Sequence, residues 1–296
     1  MSTLMTPRGE LDTRRSVEVL AEAETFYVGP RGTATVRLAA PEMPKYRLHP
    51  EDVPSARGFM VWSDAPVSDE PFHLDSDRFL TPMQAISWSA QGNRVAMSMW
   101  ASRETSLRLQ RDSLSLISSP ASEKAFRVAY PRLLHIGAIT LPFYEHHTFD
   151  VRGPGALQPA TSWVVSNIRA ALVTWLLRGQ GDMMTEEAVT APRSEIKRLA
   201  RSHPGLAPQV RVLEMRPLGM PQVPSQSEGV VSRGTGRQLT KRVPVRGHWK
   251  NHWYPARQAH RPMFIAEHER GPKEAQRTDH DRETVYRFTL PTFLQN

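Results

Sequence analysis

The chain has 296 residues, enough to bury one large core or two modest ones. It has no cysteine, which excludes disulfides, cysteine-ligated zinc and thiol catalysis. A net charge of +8 favours a polyanion such as nucleic acid as partner, although an arginine-rich composition alone explains the charge equally well. The most apolar run, over 162–177, is shorter than a membrane span and is interrupted by Asn167 and Arg169. We therefore expect a cytoplasmic protein without membrane contact.

The first half of the sequence is predicted to be mostly β. Residues 1–22 are predicted to be a flexible lead, followed by an α+β core over 23–218. Alternation of apolar and polar residues, interrupted by Gln91-Gly92-Asn93, predicts an antiparallel hairpin. The predicted strands lie at 25–28, 58–63, 85–89, 94–100, 106–109 and 134–141. Residues 33–40 are ambiguous, with a helix ended by Pro41 as one interpretation, and the acidic stretch 67–80 is predicted to be a loop.

The second half of the sequence begins with a predicted long buried helix at about 162–178. Thr161 or Ser162 can cap its start, and Gly179 suits its end. A second, basic helix is predicted to follow Pro192, and a strand is predicted at 209–215. The fold class is therefore α+β: a mixed, mostly antiparallel sheet, one long buried helix and a loop-rich C-terminal β segment.

The positive charge is concentrated near the C-terminus. Residues 229–266 contain eight Lys or Arg and no Asp or Glu, whereas the rest of the chain has as many acidic as basic residues. Residues 219–240 are predicted to be a linker or long loop, because they are rich in Gly, Pro and Ser. Residues 241–296 are predicted to be a basic aromatic segment that packs on the core, or a separate domain.

Within that segment, the run from Arg246 to Arg261 combines cations with aromatic rings. Such a mixture suits phosphates and bases, so the sequence predicts a DNA-binding or RNA-binding surface. A strand is favoured over a helix, with both tryptophans buried on one face and a His/Lys row on the other. The candidate nucleic-acid-binding residues are Arg246, Trp249, Lys250, Trp253, Tyr254, Arg257, His260 and Arg261.

Two other functions stay open. One is a toxin-like enzyme acting on nucleic acid or nucleotides, with His248 and His252 as acid–base candidates. The other is a structural or interaction protein that uses Trp249 and Trp253 in a protein interface. A metal at His248, His252 and His260 is disfavoured, since the spacing of the first two suits metal only on a helix. A basic face on the second helix could also contact phosphates, and Glu145-His146-His147 with Asp150 is a weaker acid–base candidate. No cofactor is predicted.

The C-terminal run resembles a signature of uncharacterised actinobacterial proteins, many from phages and mobile elements. The matching residues are Val245-Arg-Gly-His-Trp-Lys250, Trp253-Tyr-Pro255, His260-Arg-Pro262, Phe264-Ile265 and Gly271-Pro272. Shorter matches lie at 54–59, 171–177 and 210–213. Arg270 stands where the signature has Lys. The resemblance implies a phage or mobile-element origin and no particular activity.

Overall fold

The structure is a computed structural model that describes residues 20, 22–67, 72–74, 79–114, 119–144, 146–147, 159–202, 209–216, 243–255, 258–270 and 272. These residues form a mixed α/β fold. The chain divides into two compact units, Met1–Val223 with His248–Ile265, and Pro224–Gly247 with Ala266–Asn296. Most of the predicted N-terminal lead and the whole predicted linker lie outside the described residues.

The described part of the chain contains fifteen strands and five helices. The strands are β1 (Glu24–Val28), β2 (Tyr46–Arg47), β3 (Arg57–Trp62), β4 (Phe72–Leu74), β5 (Phe79–Thr81), β6 (Met83–Gln91), β7 (Arg94–Ser102), β8 (Leu133–Pro142), β9 (His146–His147), β10 (Met184–Thr190), β11 (Gln209–Met215), β12 (Val243–Val245), β13 (His248–Tyr254), β14 (Ala259–Ile265) and β15 (His268–Arg270). The helices are α1 (Pro30–Ala39), α2 (Arg103–Leu114), α3 (Pro120–Ala129), α4 (Pro159–Gly179) and α5 (Arg193–Ser202). A 3₁₀ turn covers Pro50–Asp52.

The main sheet has seven strands in the order β10-β11-β1-β3-β6-β7-β8. Its pairs are antiparallel except that β1 runs parallel to both β11 and β3. The predicted mostly antiparallel sheet is thus confirmed. The β6–β7 hairpin is confirmed as well, and Gly92 in its turn has a φ of +58°, a conformation that favours glycine.

The core lies between one face of this sheet and α4. Trp62 donates a hydrogen bond from Nε1 to Thr174 Oγ1 at 3.1 Å, and the rings of Trp88 and Trp175 meet with centroids 5.1 Å apart. Gly58 makes room for Trp88, because a Cβ at this position would stand 2.1 Å from the indole ring. These buried aromatic contacts fix α4 against β3 and β6.

A charged network joins the end of α4 to the edge of the sheet. Glu186 on β10 accepts hydrogen bonds from Arg178 of α4 at 2.8 Å and from Arg211 of β11 at 2.6 Å. Arg211 also pairs with Glu24 of β1 at 2.9 Å. Burial alone would raise the pKa of Glu186, but the two arginines outweigh it and lower that pKa below its ordinary value.

Two predictions about the first half are wrong. Residues 106–109 belong to α2, where Ser106, Leu107 and Gln110 are buried at helical spacing; a window of four residues could not separate this pattern from strand alternation. The stretch 67–80, predicted as a loop, contributes to the short β4–β5 hairpin. Residues 33–39 of the ambiguous stretch belong to α1, which has Pro30 in its first turn, and Ala40 is its C-cap.

The second unit is described by one short ladder. In it β12 pairs antiparallel with β15, from Val243 opposite Arg270 to Val245 opposite His268.

No helix among the residues that the structure describes is long and apolar enough to cross a membrane.

Candidate nucleic-acid interface

The β13–β14 hairpin belongs to the first unit, together with the main sheet. Its antiparallel register runs from His248 opposite Ile265 to Tyr254 opposite Ala259. The predicted strand is therefore confirmed over His248–Tyr254. Alternation puts Trp249, Asn251 and Trp253 on one face, and His248, Lys250, His252 and Tyr254 on the other.

Trp249 attaches the hairpin to the core. Its Nε1 donates a hydrogen bond to the Ala39 carbonyl at 2.9 Å, at the end of α1. Its ring packs against the buried Phe264 across the strand pair, with centroids 5.3 Å apart. The indole N–H is thus satisfied in a half-buried site, which makes Trp249 a packing residue.

A buried ion pair holds the second strand of the hairpin. Arg261 of β14 pairs with Asp52, whose side chain is only 2% exposed. Arg261 also donates to the Tyr46 hydroxyl at 3.1 Å, while Tyr46 itself donates to Asp52. The backbone N–H of His49 completes the shell around the carboxylate at 2.8 Å. Because Arg261 is directed into this network, we assign it to holding the hairpin and not to contacting phosphate.

The far end of the hairpin presents aromatic rings to solvent. Trp253 is 45% exposed, and its ring contacts the ring of the exposed His260 at a tilt, with centroids 4.9 Å apart. On the opposite face, the rings of His252 and Tyr254 meet edge to face at 4.9 Å. The prediction that the strand buries both tryptophans is therefore wrong for Trp253: the core covers only the Trp249 end.

Exposed cationic and polar side chains lie earlier on β13, between these rings and the start of the strand. Lys250 and His248 are exposed on the same face as His252, and Asn251 is exposed on the Trp253 face. The hairpin residues from 248 to 265 include no acidic residue, so no carboxylate of the hairpin itself opposes an anion there.

Two of the predicted contact residues do not belong to the described hairpin. Arg246 is exposed and lies just after β12, in the second unit. Arg257 lies outside the described residues. The described part of the surface thus consists of Trp253, His260, His252, Tyr254 and Lys250.

The geometry does not bring the candidate acid–base histidines together. His248 and His252 are four residues apart on a strand, about 13 Å at 3.3 Å per residue, too far to grip one phosphate oxygen together. His260 lies on the other face. Among the residues that the structure describes, no group of three or more His, Asp or Glu could hold a metal ion. His146 and His147 form β9 opposite β2, while Glu145 and Asp150 lie outside the described residues.

Sequence reasoning missed the groups that hold the hairpin. Asp52, Tyr46 and the Ala39 carbonyl lie more than 200 residues before their hairpin partners. The proline-punctuated stretch around Asp52 carries no periodicity that would have marked a buried carboxylate.

No family model, curated protein or solved structure matches this chain.

Proposed function

We propose that this protein binds single-stranded nucleic acid through the solvent-facing end of the β13–β14 hairpin. The observation that carries the proposal is the exposed pair of Trp253 and His260. A large exposed indole braced by a second ring offers a flat stacking face, and unpaired bases stack on such faces whatever their sequence.

Single strands suit this surface better than duplexes. Bases in a duplex are already stacked on each other, so their faces become available to an indole only where the strand is unpaired. The His252–Tyr254 pair gives the opposite face of the hairpin a second set of rings. Lys250 adds a cation for the phosphates between stacked bases.

Fluorescence anisotropy with labelled single-stranded DNA and RNA of mixed sequence tests the proposal. We expect binding that weakens as salt rises, because phosphate contacts release counterions. Trp253→Ala should weaken binding by about tenfold or more, since one stacked base contributes roughly 1–3 kcal/mol. Trp253→Phe, the matched control, should retain most of the affinity. Undetectable binding by the wild type, or equal affinities of the wild type and Trp253→Ala, would overturn the proposal.

The setting of the protein is proposed from its sequence. The resemblance of the C-terminal run to phage and mobile-element proteins supports a phage or mobile-element origin. The cysteine-free composition supports a cytoplasmic location. We also propose that α4 is the one long buried helix of the fold, since Ile168, Leu172 and Trp175 are almost fully buried.

A further inference from the structure

Helix α5 carries a straight row of basic side chains outside the hairpin. Arg193, Lys197 and Arg201 are all exposed and four residues apart. Residues at this spacing lie on one side of an α-helix, about 6 Å apart along its axis. We call these three residues the α5 ridge.

The charges of the α5 ridge have no acidic partner among the residues that the structure describes. The one acidic residue in the helix, Glu195, pairs with Arg198 at 2.5 Å. Within the described part of the chain, no ion pair involves any residue of the α5 ridge. The helix therefore presents, over about 12 Å, three cations that no described acidic residue pairs with.

An extended polyanion matches this arrangement better than an anionic membrane does. A helix that lies in a lipid interface turns large apolar side chains toward the lipid. The sequence of α5 contains two large apolar residues, Leu199 and Ile196, and Ile196 is half-buried. Evenly spaced phosphates along a nucleic-acid backbone need only the cations.

We propose that the α5 ridge binds the sugar-phosphate backbone of the nucleic acid, as a contact site independent of the bases. The ridge extends the proposed function, but it rests on a separate observation. The hairpin recognises bases by stacking, whereas the ridge contributes affinity through charge alone.

The salt dependence of single-stranded DNA binding separates the two sites. Each neutralised phosphate contributes about 0.7 to the slope of log K against log salt concentration, so Arg193→Gln/Lys197→Gln/Arg201→Gln should lower the slope by about 2. Trp253→Ala should lower the affinity at every salt concentration and leave the slope unchanged. Arg94→Gln/Arg108→Gln/Lys124→Gln is the matched control, because it removes the same charge from exposed positions elsewhere in the first unit. Melting temperatures check that each variant is folded.

An unchanged slope in the ridge variant, or an equal decrease in the control, would overturn the inference about α5 and leave the hairpin proposal standing. A lower slope in the ridge variant, together with wild-type affinity of Trp253→Ala, would support the ridge and overturn the hairpin. Vesicles containing phosphatidylserine provide the membrane arm. Vesicle binding lost in the ridge variant, with unchanged nucleic-acid binding, would also overturn the inference.

Discussion

At the scale of single residues, the carboxylate of Asp52 is held by partners on both of its oxygens. It is almost fully buried, forms an ion pair with Arg261, and accepts hydrogen bonds from the Tyr46 hydroxyl and the His49 N–H. A buried charge is tolerated when its partners satisfy it, and removal of one partner is costly. This site therefore connects the stability of the fold to the position of the hairpin.

Arg261→Ala should destabilise the protein by about 3 kcal/mol or more, because it leaves a buried carboxylate without its cation. Tyr46→Phe removes one neutral donor from the other oxygen of the Asp52 carboxylate, Oδ2, and should cost only about 1 kcal/mol. Urea unfolding curves of both variants measure the difference. Equal stabilities of Arg261→Ala and the wild type would contradict the role of this pair.

The lowered pKa of Glu186 predicts how the free energy of unfolding changes with pH. Its pKa is lowered in the folded protein despite burial, because Arg211 and Arg178 donate hydrogen bonds to the carboxylate. A lowered folded pKa gives stabilisation that is complete above the unfolded pKa of about 4.3 and is lost as pH falls through the folded pKa. Glu186→Gln should therefore be less stable than the wild type near neutral pH, and the difference should shrink below pH of about 4. Denaturant unfolding at several pH values tests this, and a difference that grows toward acid pH would refute it.

The sequence identified residue types better than residue roles. The alternation in 246–254 predicted the strand that the hairpin contains, but it did not separate Trp249 from Trp253. That difference depends on the Ala39 carbonyl and on Phe264, which Trp249 meets only in the folded chain. The ion pair between Arg261 and Asp52 likewise forms only in the folded chain, so the sequence did not show that Arg261 points inward.

At the scale of elements, the hairpin has an inner end that packs and an outer end that is exposed. Trp249→Ala should destabilise the protein by about 3 kcal/mol, near the lower end of the range for buried aromatics because the ring is half-buried. Trp253→Ala should leave the melting temperature close to that of the wild type, since the ring is 45% exposed. Thermal unfolding of the two variants side by side measures the contrast. A larger decrease for Trp253→Ala would reverse our assignment of the two ends.

The β6–β7 turn offers a second test at this scale. Gly92 has a φ of +58°, and a Cβ added there would meet no atom of the described residues within 4 Å, so substitution costs backbone strain without a clash. Gly92→Ala should destabilise by about 1–2 kcal/mol. Gly92→Asn should cost less, because asparagine tolerates the left-handed region. Chemical denaturation of both variants checks the order, and an alanine variant as stable as the wild type would contradict it.

Elements with a clear local signal were predictable from the sequence. The hairpin of β6 and β7 was predicted by strict alternation, and β11 was predicted with its observed bounds. Helix α3 was missed, although Ser119 caps it and Pro120 begins it. Strand β10 was missed because six of its seven residues are exposed, which leaves no apolar alternation to read.

At the scale of the whole molecule, contacts between distant parts of the sequence create the candidate surface. The hairpin lies near the C-terminal end of the sequence. Its contacts are nevertheless with α1, β2 and the 3₁₀ turn, which lie near the N-terminal end. Such contacts leave no trace in local periodicity, so the attachment of the hairpin could not be predicted. The attachment leaves the ring-bearing end of the hairpin exposed.

The most direct test of the central claim is to photo-crosslink bound single-stranded nucleic acid to the wild-type protein and map the adducts by mass spectrometry. The proposed function predicts adducts at the far end of the hairpin, on Trp253, Tyr254 or His260. Competition by unlabelled single strands should remove these adducts. Specific adducts elsewhere in the chain, with none between His248 and Ile265, would contradict the assignment of the nucleic-acid interface to the hairpin.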